Sequence, residues 1–199
     1  MCSSDLSPWT VLLELSSSEG EAHASALLER LLGEALELCL IQDASVAQNL
    51  AQARALWQLR ESIPLAQGQE GLNIKHDISL PISAIPAFCA ATEVELQALV
   101  PGARLVNFGH LGDGNLHFNV QAPEGADPIR FLREREPAVN ALVYAAVQAH
   151  GGSISAEHGI GQLKREELAA RKDPVALQLM RQIKKALDPQ GLMNPDRLL

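Results

Sequence analysis

The segment from Arg104 to Gln121 constrains the fold more strongly than any other part of this sequence. Two runs rich in strand-forming residues, Arg104–His110 and Leu116–Gln121, flank the connector GDGN. Glycine, aspartate and asparagine favour tight turns, and parallel strands cannot be joined by so short a segment. The sequence therefore predicts a β-hairpin within a sheet that is at least partly antiparallel.

Two further strands are predicted upstream of this hairpin. Trp9–Leu15 is a short apolar run that follows Pro8, a residue that suits the start of a strand. Ile74–Leu80 alternates between apolar and polar residues and stops at Pro81. Both segments have the length and composition of strands in a globular domain.

Five helices are predicted from apolar spacing and capping residues. The first follows a capping box formed by Ser18 and Glu21 and extends to Leu38. The others cover Ser45–Arg60, ending before Pro64, then Ser83–Val100, Phe131–His150 and a last helix from the N-cap Asp173 to Leu187. This order predicts an α+β fold: an antiparallel sheet with helices on one face, as in a ferredoxin-like cap, plus C-terminal helices.

Length, composition and charge narrow the class of protein. A chain of 199 residues with 47% apolar residues has the size and composition of one folded domain. The formal net charge of −8 disfavours nucleic acid as a partner, because phosphate binding requires a basic face. No apolar run approaches the roughly 20 residues of a membrane-spanning helix, and the N-terminus lacks the pattern of a signal peptide. We therefore expect a cytoplasmic protein.

The first residues differ from the rest of the chain. Residues 1–7 carry no periodic pattern, and the stretch CSSDL within them is what a common sequencing-adapter stretch encodes in one reading frame. We therefore interpret residues 1–7 as a non-native or artefactual lead and residues 8–199 as the domain.

The hairpin carries the first candidate site, in the motif GHLGDGNLHFN. His110 and His117 flank the glycine-rich turn, so the hairpin can bring both imidazoles toward one point. Imidazole nitrogen suits zinc and similar divalent ions, and the glycines allow a sharp turn beside a bound ion. A surface hairpin with two incidental histidines remains the alternative, because two ligands do not define a metal site.

The second candidate site is the stretch GGSISAEHGIG, which follows the end of a predicted helix. Glu157 would complete a set of two histidines and one carboxylate with an open coordination position. His158 would then lie beside the metal as a proton acceptor, because its ordinary pKa is near neutral. An ordinary glycine loop with an exposed Glu-His pair is the alternative.

Arg60 and Lys75 form the third candidate. Arg60 lies in the predicted helix Ser45–Arg60, and Lys75 lies in an otherwise apolar strand. A guanidinium that binds a carboxylate through two hydrogen bonds, with an ammonium beside it, is a common anion-binding arrangement. A solvated helix end and an outward-facing strand position are the alternatives.

Five motifs occur here in one order. They are WQLRE at 57–61, KHDISLP at 75–81, GHLGDGNLH at 109–117, AEHGIG at 156–161 with Lys164, and LDPQGLMNP at 187–195. Together they resemble the C-terminal domain of FAD-linked oxidases of the vanillyl-alcohol-oxidase superfamily, in particular the members that oxidise 2-hydroxyglutarate, lactate or glycolate. The resemblance extends from Trp9 to Leu199.

The resemblance implies a role for each candidate residue. His110, His117 and Glu157 match the family's metal ligands, usually for zinc, and His158 matches the base that accepts the hydroxyl proton. Arg60 and Lys75 match positions that bind the substrate carboxylate, and Asn119 matches a further polar contact to the substrate. The implied reaction is oxidation of a D-2-hydroxy acid to the 2-oxo acid, with the hydride passing to FAD.

Two departures from the family pattern qualify this reading. Members that oxidise dicarboxylates often carry a hydroxyl residue where this chain has Pro64, which leaves open the choice between 2-hydroxyglutarate and a smaller acid. The family's FAD-binding domain lies N-terminal to this one, and we expect the missing domain to hold most of the FAD contacts. We therefore predict that the isolated chain is an inactive half of a dehydrogenase.

The resemblance also implies partners. These are the 2-hydroxy-acid substrate, the FAD-binding domain of the same polypeptide, an electron-accepting protein or quinone, and a second copy of the chain in a homodimer. A stand-alone module that binds a metal or small acid, or a separately encoded subunit working with a flavin protein, is the alternative function.

Overall fold

The structure is a computed structural model that describes residues 9–199. The predicted lead, residues 1–7, lies outside the described residues. The chain divides into two compact units, with the boundary between Glu70 and Gly71. We describe each unit by itself.

The first unit contains two helices, α1 (Glu21–Glu37) and α2 (Leu50–Gln69). α1 begins after Gly20, which has a φ of 109° and leaves the helix without a side-chain cap. The predicted capping box is therefore wrong. The hydroxyl of the nearby Ser17 instead accepts a hydrogen bond from the backbone N–H of Glu19.

Two further sequence predictions fail in the first unit. Residues 10–17 have no regular secondary structure, so Trp9–Leu15 is not a strand. A strand needs a hydrogen-bonded neighbour, and the sheet of the described chain is built from residues of the second unit. α2 does not end before Pro64 but runs through it to Gln69. A proline inside a helix removes one helical hydrogen bond and usually kinks or breaks the helix, which is why an end before Pro64 was predicted.

The second unit contains four strands and four helices. In chain order they are β1 (Asn73–Ile74), β2 (Asp77–Ser79), α3 (Ile85–Leu99), β3 (Arg104–His110), β4 (Asn115–Gln121), α4 (Pro128–Ala149), α5 (Arg165–Arg171) and α6 (Pro174–Leu187). β4 is the centre of the sheet and pairs antiparallel with β1, β2 and β3. The structure confirms the predicted α+β class and the antiparallel hairpin. α5 was not predicted.

β1 and β2 form the single strand expected over Ile74–Leu80, with an interruption at His76. Both segments keep one register against β4, with Ile74 opposite Val120 and Asp77 opposite His117. At His76 the ring Nδ1 lies 2.7 Å from the carbonyl oxygen of Phe118, and the backbone N–H donates to Oδ1 of Asn119 instead. The backbone N–H of Phe118 still donates to the carbonyl oxygen of His76 at 2.9 Å, so side-chain hydrogen bonds replace only one of the two backbone bonds at this position.

One face of the sheet packs against α3 and α4. Phe118 of β4 meets Phe88 of α3 edge to face, with ring centroids 5.3 Å apart, and both side chains are fully buried. Val139, Val143 and Val147 of α4 belong to the same core. These valines recur at helical spacing and cover the apolar alternation of the strands, as the sequence predicted. On β4 the opposite alternation carries polar residues, namely Asn115, His117, Asn119 and Gln121.

The tail motif LDPQGLMNP closes the C-terminal end of α6. The carboxylate of Asp188 accepts hydrogen bonds from the backbone N–H groups of Leu192 and Met193, at 2.8 and 2.9 Å. Lys184 Nζ lies 2.5 Å from the same carboxylate and holds the pKa of Asp188 down at about 2. The motif therefore has a local structural role. Among the described residues, none of the helices combines the length and the apolar character needed to cross a membrane.

Candidate metal and substrate site

Both histidines of the hairpin lie on the polar face of the sheet. In the pairing of β3 with β4, Phe108 lies opposite His117 and His110 lies opposite Asn115. Opposed residues of an antiparallel pair point to the same face, and every second residue of a strand returns to it. His110 and His117 therefore share the face that points away from α3 and α4. By the same alternation Asn119 lies on this face, and it is 5% exposed.

Two glycines let the backbones at this end of the sheet come close together. A Cβ on Gly109 would collide with the carbonyl oxygen of Asn115, and a Cβ on Gly114 would collide with the carbonyl oxygen of Leu80. Gly114 also has a φ of 75°, in the left-handed region that favours glycine. From the sequence, these glycines were predicted to allow a sharp turn beside a bound ion. The structure assigns them to close contacts within the sheet.

Asp77 joins the sheet to the loop that carries Glu157 and His158. Its Oδ2 accepts hydrogen bonds from three successive backbone N–H groups, those of Ala156 at 3.3 Å, Glu157 at 2.9 Å and His158 at 2.8 Å. Burial opposes ionisation of Asp77, but the N–H groups of His158 and Glu157 outweigh it, so the pKa of Asp77 is lowered. A charged carboxylate thus fixes the loop on the polar face.

Lys164 also holds this loop, through a hydrogen bond to the residue at which the loop begins. Its Nζ donates to the carbonyl oxygen of Ile154 at 2.8 Å and lies 3.5 Å from the backbone oxygen of Asp77. Burial lowers the pKa of Lys164, and the charge of Asp77 opposes that shift. A bridge between Ser79 and Ser153 adds a third connection between β2 and the loop. The AEHGIG segment is therefore fixed against β2 at several points.

These connections bring four side chains of potential metal ligands together. Ligand atoms of Asp77, Glu157 and His158 all lie within 4.8 Å of one another. His117 adjoins this group, because its Nδ1 lies 3.9 Å from Oδ1 of Asp77 and its ring centroid is 5.9 Å from that of His158. His110 is on the same face of the sheet but is not a member of the 4.8 Å group.

The donors of this group suit a divalent metal ion. Imidazole and carboxylate are the usual ligands of zinc and related ions in proteins. Oδ1 of the Asp77 carboxylate is buried and accepts no hydrogen bond within the described chain, and it places negative charge beside His117. A bound cation would offset that charge. The donors therefore suit a divalent ion, but the group within 4.8 Å contains only Glu157 of the predicted ligands His110, His117 and Glu157, so that ligand set stays a prediction.

A cavity beside Glu157 could admit a small polar ligand. It has a volume of about 300 Å³, and the residues that line it are Ser79, Asp113, Asn115, Ser153, Ser155, Ala156 and Glu157. The side-chain amide of Asn115 is buried there and has no hydrogen-bond partner in the described chain. A larger cavity, of about 430 Å³, lies near α5, α6 and the C-terminus and contains none of the predicted site residues. Of these two cavities, the smaller one adjoins the candidate metal ligands.

The two candidate carboxylate-binding residues lie in different units. Arg60 is on α2 of the first unit and is half-buried. Lys75 is exposed and lies between β1 and β2 of the second unit, at the alternation of Asp77. Their joint action on one carboxylate stays a prediction, as do the roles of Asn119 and His110.

The comparison with known proteins decides the family. Residues 2–198 match the family model "FAD linked oxidases, C-terminal domain". This chain belongs to that family. The match covers all five motifs, and it confirms the resemblance stated on sequence grounds.

Three relatives of this chain are named as D-2-hydroxyglutarate dehydrogenases. The chain is 38% identical over 189 residues to the mitochondrial D-2-hydroxyglutarate dehydrogenase of Arabidopsis thaliana, covering 95% of the chain and 32% of that protein. It is 38% identical over 198 residues to D-2-hydroxyglutarate dehydrogenase of Xanthomonas citri pv. viticola, covering 98% and 40%. For D-2-hydroxyglutarate dehydrogenase of Stutzerimonas stutzeri the identity is 34% over 191 residues, covering 96% and 40%. The chain thus spans about a third to two fifths of the length of these relatives.

Asp77 lies at the centre of the candidate site, but no role was predicted for it from the sequence. One signal was present in the motif KHDISLP. An acidic residue in an apolar strand, two positions after Lys75, shares the polar alternation with it. Buried acidic residues are rare unless they are paired or hydrogen-bonded, so such a position is informative. The three-fold hydrogen bond to the loop depends on a contact across 79 to 81 residues, and local sequence does not reveal it.

Proposed function

We propose that this chain is the substrate- and metal-binding half of a flavin-dependent dehydrogenase that oxidises a D-2-hydroxy acid to the 2-oxo acid. The observation that carries the proposal is the convergence of Asp77, His117, Glu157 and His158 on the polar face of the sheet. Membership of the FAD-linked oxidases supports the redox chemistry. The names of the relatives support a D-2-hydroxy acid as substrate class.

In this proposal His110, His117 and Glu157 hold a divalent metal ion, with zinc as the first choice. Two imidazoles and one carboxylate leave a coordination position open for a ligand, as in catalytic zinc sites. Such an ion, when bound, lowers the pKa of a hydroxyl group near it and offsets the charge of a carboxylate. Asp77 keeps Glu157 in place by holding its backbone N–H.

His158 is the proposed base for the substrate hydroxyl proton. Its side chain is 68% exposed, so it can reach a substrate without rearrangement of the core. Its Nδ1 lies 3.7 Å from Oδ2 of Asp77, so the carboxylate is close to the imidazole. Histidine is the residue most often used for this task near neutral pH.

The substrate carboxylate is assigned to Arg60 and Lys75, with Asn119 as a further polar contact. Positive charge and hydrogen-bond donors at these positions suit an acid. The relatives are named for 2-hydroxyglutarate, and Pro64 keeps a smaller 2-hydroxy acid as the other choice. The cavity of about 300 Å³ beside Glu157 has polar walls that suit hydroxyl-bearing molecules.

FAD supplies the hydride acceptor in this proposal. We assign its binding mainly to a domain of the same polypeptide, because the relatives are at least twice as long as this chain. A cytoplasmic location, an electron-accepting protein or quinone and a homodimer complete the proposal.

A chimera tests the proposed function. Replacing the matching C-terminal part of the Xanthomonas citri relative with this chain should give a protein that oxidises at least one D-2-hydroxy acid. The isolated chain should show no turnover with added FAD and an artificial electron acceptor. A folded chimera that holds flavin and metal but oxidises none of 2-hydroxyglutarate, lactate and glycolate would contradict the proposal. Turnover by the isolated chain would contradict its role as half an enzyme.

The metal assignment predicts the effect of a double substitution. Replacing His110 and His117 together with alanine should remove most of the bound metal, because a single carboxylate ligand would remain. Elemental analysis after purification in the presence of zinc measures this. His23→Ala, on α1 of the first unit, is the control and should keep its metal content. Equal metal in the double variant and the control would count against these ligands.

A further inference from the structure

We propose that Asp77 is a positioning residue with two functions, one for each of its oxygens. Oδ2 fixes the loop that carries Glu157 and His158, and Oδ1 orients the imidazole of His117. The inference rests on the proposed function, because it takes Glu157 and His117 as metal ligands.

The first function follows from the hydrogen bonds of Oδ2. It accepts from the backbone N–H groups of Ala156, Glu157 and His158, so it fixes the main chain at both functional residues. The side chains of Glu157 and His158 are themselves exposed and gain little fixation from packing. Hydrogen bonds to a charged acceptor are shorter and stronger than neutral ones. Asp77 therefore determines where the loop lies relative to β4.

A second contact links the loop to the main chain of Asp77 as well as to its side chain. Lys164 Nζ donates to the carbonyl oxygen of Ile154, at the start of the loop, and approaches the backbone oxygen of Asp77. The main chain and the side chain of Asp77 therefore both contribute to holding the loop. A role limited to filling space would not need these directed bonds.

The second function follows from the environment of Oδ1. This atom is buried, has no hydrogen-bond partner in the described chain and lies 3.9 Å from Nδ1 of His117. A movement of about 1 Å would bring the pair to hydrogen-bond distance. The ring of Phe108 lies on His117, with centroids 4.8 Å apart, and limits how the imidazole can turn.

A hydrogen bond from Nδ1–H of His117 to Oδ1 would fix the tautomer of the imidazole. The neutral ring has one donor and one acceptor nitrogen, so Nε2 would then carry the free lone pair. Histidines that bind metals usually donate their other N–H to a carboxylate or carbonyl in this way. Asp77 would thus set which nitrogen of His117 is available as a ligand, while its other oxygen holds Glu157.

Two substitutions at Asp77 separate the two functions. Asp77→Asn keeps an oxygen that can accept from the loop N–H groups but places an amide nitrogen or an uncharged oxygen near His117. Asp77→Ala removes both functions. We expect zinc affinity of the 199-residue chain to fall roughly 10- to 100-fold in both variants. Amide hydrogen exchange at residues 156–158 should accelerate strongly in Asp77→Ala and much less in Asp77→Asn.

The controls make the result specific to Asp77. Glu124→Gln removes one negative charge from an exposed loop position of the same unit and should leave zinc affinity unchanged. Glu157→Gln removes a proposed ligand. If the unmodified chain and Glu157→Gln have the same low zinc affinity, the proposed metal site itself is wrong. If Glu157→Gln loses zinc and Asp77→Asn does not, only the inference about Asp77 is wrong.

A measurement on the unmodified chain covers the case in which the variants fail to fold. Nitrogen chemical shifts of His117 in the zinc-loaded protein report which ring nitrogen carries the proton. We expect protonated Nδ1 and zinc-bound Nε2. The reverse assignment would overturn the inference, whatever the variants do.

Discussion

Replacing His158 with alanine in the complete enzyme should lower kcat by about 10²–10⁴, the usual contribution of a general base. The side chain of His158 is 68% exposed, so its removal should not disturb the core. The bond that holds this part of the loop uses the backbone N–H of His158 and survives the substitution. A large loss of activity in a folded protein is therefore expected from chemistry alone.

Metal content distinguishes this role from that of a ligand. His158→Ala should keep its zinc, whereas Glu157→Gln, one position earlier, should lose it. A variant that loses zinc along with activity would show that His158 is a ligand. Unchanged kcat would remove it from the mechanism.

The parts of the fold that the sequence predicted are those set by local signals. The hairpin of β3 and β4 followed from its turn residues, and α6 begins at Asp173 and Pro174 as expected, with the Asp173 carboxylate accepting from Val175 and Ala176. The predictions of secondary structure were wrong where the conformation of a segment depends on contacts outside it. Trp9–Leu15 has the composition of a strand but no partner strand in the sheet. Pro64 would end an isolated helix, yet α2 continues through it.

The candidate site could be predicted in part for the same reason. Glu157 and His158 were predicted as site residues because a carboxylate and an imidazole in a glycine-rich loop have few structural uses. Asp77 was not found, because its importance comes from a contact with residues 156–158, far away in sequence. His110 and His117 share one face of the hairpin by strand alternation alone, which is why sequence spacing could bring them together.

The two faces of one strand explain how the fold supports the site. Leu116, Phe118 and Val120 of β4 belong to the core, while the residues between them lie on the polar face. Ile78 of β2 is likewise fully buried beside Asp77. The functional residues on the sheet therefore alternate with core residues whose packing fixes their positions. The same alternation places His76 on the side of the core.

His76 is the titratable group most strongly affected by that core. It is fully buried, its Nδ1 lies 2.7 Å from the carbonyl oxygen of Phe118, and its Nε2 lies 2.9 Å from the side-chain oxygen of Asn140. Burial lowers the pKa of His76 from 6.5 to about 4, although the hydrogen bonds to Phe118 and Asn140 oppose that shift and the charge of Lys164 adds to it. The folded protein therefore keeps this imidazole neutral.

The free energy of unfolding should consequently fall as the pH is lowered from 7 to 4. Between the unfolded pKa of 6.5 and the folded pKa of about 4, the unfolded chain binds a proton at His76 that the folded chain does not. This difference in pKa lowers the free energy of unfolding by about 3 kcal/mol at pH 4. The loss of stability is absent above pH 7 and is complete once the pH is below the folded pKa. Urea denaturation at half-unit pH steps measures it. In His76→Gln, which is expected to be less stable at pH 7, this part of the slope should vanish, whereas His23→Gln, at an exposed position, should keep it. Parallel pH profiles for the unmodified chain and His76→Gln would show that His76 is not the group responsible.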